Sequence, residues 1–276
     1  MATSRFRIVT DSTADLPESW REQYGIEVVP LSVSFGNESF KDRVDITYEQ
    51  FFERLAVAKE LPKTAAPSPG DFAAAYERLR AECDGIISIH LGGNISATVE
   101  SARIGAQTIE GFPIEVIDSR SVTMPIAFLC KVAAESASLQ EARARVEERV
   151  DKSRVIALLD TLRYVEMGGR VSRAQAMIGG MLDLKPILGV SGGEIKSLDR
   201  VRTRSRAIPR MIEMARADYP VEYLGVVHAQ APEEAERIRQ ELQAELPEVQ
   251  IETGTIGTVL ATHTGPKALG LVYIKR

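Results

Sequence analysis

The chain has 276 residues, of which 44% are hydrophobic and 26% are charged, and its formal net charge is −5. This length allows one large domain or two ordinary ones, and the composition is that of a globular protein. The negative charge argues against nucleic acid as the main partner.

Strands alternate with helices through the first half of the chain. Strands are predicted at 6–10, 26–35, 86–91 and 114–117, and helices at 17–24, from Thr47, from Ser68-Pro69 and from about Ser96, with a long helical region at 124–149. Thr64 is predicted in an irregular loop before the helix that starts at Ser68-Pro69. The alternation of strands and helices predicts a parallel sheet covered by helices on both faces.

A glycine-rich turn follows the third of these strands. Gly92, Gly93 and Asn94 lead into the helix that begins near Ser96. The first N–H groups of a helix lack internal partners, so this turn and the Ser96 hydroxyl suit a carboxylate or a phosphate. In the alternative interpretation, Asn94 or Ser96 only caps the helix.

The pattern changes near Ser153. Strands are predicted at 155–159, 184–190, 194–201, 223–228 and 250–260, with helices at 204–217 and 233–246. The Ser191-Gly192-Gly193 turn is typical of a hairpin, which predicts a mixed sheet. We therefore expect an α/β protein with two domains, an N-terminal parallel-sheet three-layer domain at 1–153 and a C-terminal mixed-sheet domain at 154–276.

The usual signatures of catalysis and metal binding are missing from the sequence, which has no HExxH, CxxC, GxSxG or P-loop motif. Of the three histidines, His90 is interpreted as packing within the core and His228 is ambiguous. His263 is predicted in a loop that brings it to a cleft. Cys83 and Cys130 are expected to be free thiols in a reducing compartment. No apolar run spans a membrane and the first residues lack a signal peptide, so we expect a cytoplasmic protein.

Arginine is dense at two places. One group lies at 200–210 and the other comprises Arg163, Arg170 and Arg173. Most of these side chains are expected on the solvated surface. Arg170 follows a glycine pair, where a guanidinium approaches an anion closely and binds it through two hydrogen bonds.

Seven motifs occur in an order that resembles the DegV family of bacterial fatty-acid-binding proteins. They are TDSTADLP at 10–17, KTAAPSPGDF at 63–72, LGGNISATVESA at 91–102, IDS at 117–119, LRYVEMGGRVSRAQA at 162–176, LKPIL at 184–188 and THTGPKALG at 262–270. The resemblance implies a non-catalytic protein without a cofactor, whose two DegV-like α/β domains bury a long-chain fatty acid between them. It also implies a separate fatty acid kinase as partner, which forms acyl phosphate for phospholipid synthesis, and it allows transient contact with the membrane.

The resemblance assigns roles to individual residues. Thr64, Ser96 and His263 would bind the fatty acid carboxylate, and Arg170 and Arg202 would lie near the pocket mouth, in contact with the head group or the kinase. The chain departs from the family pattern at Ala65-Ala66, where Ser-Gln is usual, at Ala97 in the glycine- and serine-rich run, and at Lys267, where glycine is usual.

Other interpretations remain open at this point. The same glycine turn suits an enzyme acting on a small phosphorylated or carboxylated metabolite, with His263 as its acid–base group. A third hypothesis is an interaction module that uses the arginine group on nucleic acid. The apolar segment 124–129 and the face formed by Met177, Ile178 and Met181 either line a fatty acid tunnel or belong to the core.

Overall fold

A computed structural model describes residues 6–167 and 184–276. The strands are β1 Phe6–Asp11, β2 Glu27–Val29, β3 Ser32–Phe35, β4 Glu38–Lys41, β5 Lys63–Ala65, β6 Gly85–His90, β7 Ile114–Asp118, β8 Ser153–Leu158, β9 Lys185–Ser191, β10 Glu194–Val201, β11 Val221–His228, β12 Ile251–Thr255 and β13 Leu269–Lys275. The helices are α1 Glu18–Tyr24, α2 Tyr48–Val57, α3 Pro69–Arg80, α4 Thr98–Gln107, α5 Met124–Ala134, α6 Leu139–Val150, α7 Arg163–Met167, α8 Arg204–Arg216, α9 Pro232–Glu245 and α10 Thr258–Thr264.

The N-terminal half is built on the predicted parallel sheet, whose strand order is β2-β1-β6-β7. Helices α3 and α4 cover one face, where Phe72, Tyr76 and Ile86 are buried together. Helices α5 and α6 pack on the other face. The parallel three-layer prediction is therefore confirmed. A small antiparallel sheet of order β4-β3-β5, which the sequence pattern did not predict, lies beside it.

The C-terminal half contains the predicted mixed sheet, with six strands in the order β10-β9-β8-β13-β11-β12. Only β11 and β12 pair in parallel. The hairpin between β9 and β10 turns at Gly192 and Gly193, which both have positive φ, and this conformation explains why glycine stands there. Helices α8 and α9 cover one face of the sheet. The division into domains at 1–153 and 154–276 stays a prediction.

Helix α5 fills the space between the parallel sheet and the inner face of the mixed sheet. Met124 packs against Gly225 of β11 and Gly254 of β12, where a Cβ atom would overlap its side chain. Phe128, fully buried, stacks on Tyr223 with 5.3 Å between ring centroids. The segment 124–129 therefore belongs to the core, which was one of the two interpretations of its sequence, the other being the lining of a fatty acid tunnel. The long helical region predicted at 124–149 is two helices, because Ser138 caps a new helix that starts at Leu139, and its Oγ accepts a hydrogen bond from the Glu141 N–H at 3.2 Å.

Two local predictions near the C-terminus and in the first half are wrong. Residues 258–260 begin helix α10 instead of ending the predicted strand, so His263 lies in a helix and not in a loop. Thr64, predicted in an irregular loop, lies in the edge strand β5. The α10 sequence is rich in Thr and Val, which favour strands, and its burial against the N-terminal half overrides that preference.

The two halves are also joined by a buried carboxylate. Asp15 accepts hydrogen bonds from Thr123 Oγ1 at 2.6 Å, from the Gly257 N–H at 2.8 Å and from the Arg43 guanidinium at 3.0 Å. Burial raises the pKa of Asp15 to about 6, although Arg43 and these donors oppose the shift.

Across the described ranges 6–167 and 184–276, no helix has both the length and the apolar character needed to cross a bilayer.

The raised pKa of Asp15 predicts how stability depends on pH. The folded protein holds this proton more tightly than the unfolded chain, whose pKa is near 3.8. The contribution of Asp15 to stability is therefore complete below pH 3.8 and is lost as pH rises through about 6. Relative to Asp15→Asn, the wild type should lose on the order of 3 kcal/mol of unfolding free energy across this interval.

Urea denaturation at several pH values between 4 and 7 measures this difference. Asp151→Asn is the control, because it makes the same substitution at an aspartate that lies on the surface, paired with Arg120. Parallel stability curves for the wild type and Asp15→Asn would contradict the prediction.

Candidate functional site

An apolar cavity lies between the inner face of the mixed sheet and the loops of the N-terminal half. Strand β8 contributes Val155 and Ala157, and Leu159 follows it at the same period-two spacing. The alternate residues Ile156 and Leu158 point to the opposite face, into the core under α8. The cavity floor is thus one side of a strand whose two sides are both apolar.

Neighbouring elements extend the apolar lining. It includes Leu188 and Val190 of β9, Ile195 of β10, Val227 of β11 and Val259 and Leu260 of α10. From the N-terminal half, Leu31, Leu91, Ile95 and Val122 close the cavity on the other side. Such a lining excludes water and suits an alkyl chain better than a polar metabolite.

Polar side chains line the cavity where Thr64 and His263 meet. Thr64 Oγ1 lies 2.9 Å from His263 Nε2, and both residues are half-buried. The sequence places them 199 residues apart, and the contact joins β5 of the N-terminal half to α10 of the C-terminal half. Ala65 and Ala66, two of the positions that depart from the family pattern, line the cavity beside Thr64.

Ser96 also lines the cavity, just before α4. Its Oγ accepts a hydrogen bond from the Thr98 N–H at 3.3 Å and lies 2.9 Å from Thr98 Oγ1. The N-cap residue of α4 is Ala97 and neither Asn94 nor Ser96, although Ser96 binds the first N–H of the helix and its hydroxyl borders the cavity. Thr64, Ser96 and His263 are brought to a single cavity, as the resemblance implied, and their role in binding a carboxylate remains a proposal.

Gly92 and Gly93, which precede α4, were predicted to form part of an anion site, but the structure gives them a role in loop packing. A Cβ atom on Gly93 would lie 2.8 Å from Asp118 Oδ2, and the Gly93 N–H already donates to Asp118 Oδ1 at 3.1 Å. A Cβ atom on Gly92 would lie 3.3 Å from the backbone of Arg120 and Ser121. Both glycines therefore allow two loops of the N-terminal half to pack together, instead of admitting an anion.

The two arginines predicted at the pocket mouth are not part of the described cavity lining. Arg202 is exposed in the connection between β10 and α8, and Arg170 lies outside the described residues, as do Arg173, Met177, Ile178 and Met181. Several arginines of the 200–210 group bind carboxylates: Arg204 pairs with Glu234 and Arg210 with Asp199, each at 2.8 Å. These two pairs show that Arg204 and Arg210 are neutralised by carboxylates of the same half of the chain.

Asp11, His90 and Ser88 have the residue types of a catalytic triad, but they form a buried hydrogen-bonded network away from the cavity. His90 Nδ1 lies 3.0 Å from Asp11 Oδ2, and His90 Nε2 lies 2.6 Å from Ser88 Oγ, which also contacts Tyr76 OH at 2.8 Å. Asp11, Ser88 and His90 are fully buried and none of them borders the cavity. The network satisfies polar groups in the core, and it confirms the packing interpretation of His90.

His228 lies apart from the cavity lining at the end of β11. Its Nδ1 accepts a hydrogen bond from the Ala231 N–H at 3.4 Å, and burial holds the pKa of the imidazole below its usual value. The described cysteines, Cys83 and Cys130, are free thiols. In the part of the chain that the structure describes, no cluster of three His, Cys, Asp or Glu side chains is arranged to hold a metal ion.

Sequence reasoning missed several residues of the site. The alternation of Val155, Ala157 and Leu159 was available as a signal, but a strand with two apolar faces does not show which face borders a cavity. Thr123 borders the cavity with a φ of +57°, which composition cannot reveal. Lys267, at a position where glycine is usual, has a φ of +61°, which explains the preference for glycine there.

Comparisons with known proteins agree with this architecture. A sequence model described as "Uncharacterised protein, DegV family" matches residues 5–276. Protein DegV of Bacillus subtilis is 34% identical over 275 residues, which cover 96% of this chain and 98% of that protein.

Solved structures show the same fold. A DegV family protein from Thermus thermophilus, described by its fatty acid binding, superimposes with a TM-score of 0.91 at 30% identity and covers 99% of this chain and 100% of its own. DegV of B. subtilis, described as a fatty acid binding protein, gives a TM-score of 0.90 at 33% identity with the same coverage. A stearic acid-binding protein from Eubacterium ventriosum gives 0.87 at 25% identity, with 98% of each chain covered.

The order of the motifs, the pairing of a parallel with a mixed sheet, and these matches over nearly the whole length lead to one conclusion: the chain belongs to the DegV family.

Proposed function

We propose that this protein binds a long-chain fatty acid in the cavity, with the alkyl chain on the inner face of the mixed sheet and the carboxylate at Thr64, Ser96 and His263. The observation that carries the proposal is that a mainly apolar lining includes the hydrogen-bonded pair Thr64 and His263. A fatty acid has the same two parts. The relatives from T. thermophilus and B. subtilis, which are described by fatty acid binding, support the proposal.

The energetics favour an alkyl chain as the main source of affinity. Each buried methylene contributes roughly 0.8 kcal/mol, so about 15 methylenes contribute on the order of 12 kcal/mol before the costs of association. Hydrogen bonds to a carboxylate contribute about 1.5–3 kcal/mol each. Thr64, Ser96 and His263 therefore fix the orientation of the acid more than they determine its affinity.

The alternative of a small phosphorylated metabolite fits the cavity poorly. Such a ligand would leave most of the apolar lining without a partner. Its charged group would also lose hydration, which two hydroxyl groups and one imidazole replace only in part.

We further propose that the bound acid is a substrate for a separate fatty acid kinase. The protein would present the carboxylate for acyl phosphate formation, in the cytoplasm and within phospholipid synthesis, and would carry out no catalysis itself. Thr64, Ser96 and His263 are only half-buried, which is compatible with access to the carboxylate. Exposed Arg202, together with Arg170, supplies positive charge for the head group or the kinase.

Lipid extracted from the purified protein tests the first proposal directly. Mass spectrometry should find long-chain fatty acids at up to one per chain. After delipidation, titration with saturated acids of increasing length should show affinity rising about fourfold per methylene until the cavity is filled. The absence of saturable binding for every acid would refute the proposal.

Removal of the hydroxyl groups tests the position of the carboxylate. Thr64→Val, which keeps the shape of the side chain, and Ser96→Ala should each weaken palmitate binding about tenfold or more, because each removes one hydrogen-bond donor to the carboxylate. Isothermal titration calorimetry measures the loss, with Thr253→Val on the exposed side of β12 as the control. Binding of the methyl ester should change much less, and equal losses for acid and ester would contradict the assigned carboxylate position.

Charge reversal at Arg202 tests the kinase proposal. Arg202→Glu should keep its affinity for palmitate but lower acyl phosphate formation by a fatty acid kinase about tenfold, because interface charges act on association. Arg80→Glu is the matched control, since α3 covers the far face of the parallel sheet. Equal acyl phosphate rates for Arg202→Glu and Arg80→Glu would contradict a role for Arg202.

A further inference from the structure

We propose that Asp42 and Asp15 are positioning residues that hold α10 so that His263 meets Thr64 at the head-group end of the cavity. The inference deepens the proposed function and rests on it, because it concerns the geometry of the same site. Neither aspartate lines the cavity, and both belong to the N-terminal half, whereas α10 belongs to the C-terminal half.

The first residues of α10 are held by these two carboxylates. Asp42 Oδ1 accepts from Thr258 Oγ1 at 2.7 Å and from the Thr258 N–H at 3.3 Å, and Asp15 Oδ1 accepts from the Gly257 N–H at 2.8 Å. Asp42, Asp15 and Thr258 are all buried. A Cβ atom on Gly257 would lie 3.0 Å from Asp15 Oδ1, so the carboxylate sits directly against the helix start.

The chemistry at this end explains why carboxylates stand there. The first N–H groups of a helix lack internal acceptors and carry partial positive charge, so ionised acceptors bind them strongly. A helix of seven residues is unstable alone, and external contacts therefore decide where it lies. Its other end is fixed as well, because Gly265 lies against the ring of Tyr164, where a Cβ atom would overlap the ring.

One small sheet connects Asp42 to the site. Asp42 directly follows β4, and Thr64 lies in β5; both strands pair with β3. The same sheet therefore supplies Thr64 and the anchor for the helix that carries His263. His263 is five residues beyond Thr258, which is about 7.5 Å along a helix, and Thr262 Oγ1 binds the Thr258 carbonyl at 2.9 Å. A displacement of Thr258 would thus be passed on to His263.

Thr258 offers a matched pair of variants. Thr258→Val keeps the shape but removes the hydroxyl donor to Asp42, and Thr258→Ser retains that donor. We expect palmitate binding to weaken about fivefold in Thr258→Val and to stay near the wild-type value in Thr258→Ser. In a His263→Ala background, Thr258→Val should cause no further loss, because the group that it positions is already absent.

A second measurement needs no ligand. The chain has three histidines, so the ring signals of His263 are identified in NMR spectra by their loss in His263→Ala. Thr258→Val should shift these ring signals in the ligand-free protein while the signals of buried His90 stay in place. This readout remains decisive if no fatty acid binds, so failure of the positioning role is distinguishable from failure of the proposed function.

Two results would overturn the inference. One is an equal loss of affinity from Thr258→Val with and without His263, which indicates a general structural effect. The other is an unchanged His263 signal in folded Thr258→Val. If Thr258→Val does not fold, Asp42→Ala gives the same comparison, because it removes the acceptor of the Thr258 hydroxyl, and Asp42→Asn, whose amide oxygen still accepts that hydrogen bond, is its matched control.

Discussion

The inner face of the mixed sheet is the surface on which the rest of the structure depends. Strand β8 is apolar on both sides, so each side has to be covered. Helices α8 and α9 cover the outer side, and helix α5 covers β11, β13 and part of β8 on the inner side. No described side chain fills the remaining space over β8 and β9, which becomes the cavity. Within residues 6–167 and 184–276, the cavity is therefore the part of this apolar face that no side chain covers, and an alkyl chain would match it chemically.

The polar end of the cavity requires both halves of the chain. Thr64 comes from the small antiparallel sheet, Ser96 from the turn before α4, and His263 from α10. Each element alone presents an ordinary hydroxyl or imidazole. Their convergence depends on buried hydrogen bonds between the halves, and unpaired carboxylates or N–H groups there would be costly. The free energy of docking the two halves and the geometry of the site are therefore linked.

The positions that depart from the family pattern differ in whether they border the cavity and in their backbone conformation. Ala65 and Ala66 border the cavity next to Thr64, so they offer methyl groups where longer polar side chains are usual. Ala97 is exposed at the start of α4 and does not border the cavity. Lys267 is exposed and has a left-handed backbone, which costs a side-chain-bearing residue about 1 kcal/mol relative to glycine. Only the first pair bears on the choice of ligand.

The sequence by itself determined the alternation of strands and helices, the change from a parallel to a mixed sheet, and the capped starts of α2 and α3, because these follow from local periodicity and local hydrogen bonding. It also indicated that His90 belongs to the core, although the Asp11 partner of its ring lies 79 residues away in the chain. The motif order pointed to Thr64, Ser96 and His263 but misplaced two of them, in loops instead of a strand and a helix. Only the tertiary structure decided that α5 is core, that the glycines of residues 92–93 serve loop packing, and which face of β8 borders the cavity. A strand or helix that is buried on both faces has no alternation of polar and apolar residues, so its sequence does not show which face borders a cavity. The contact between Thr64 and His263 joins residues 199 apart, and local sequence patterns do not predict such a contact.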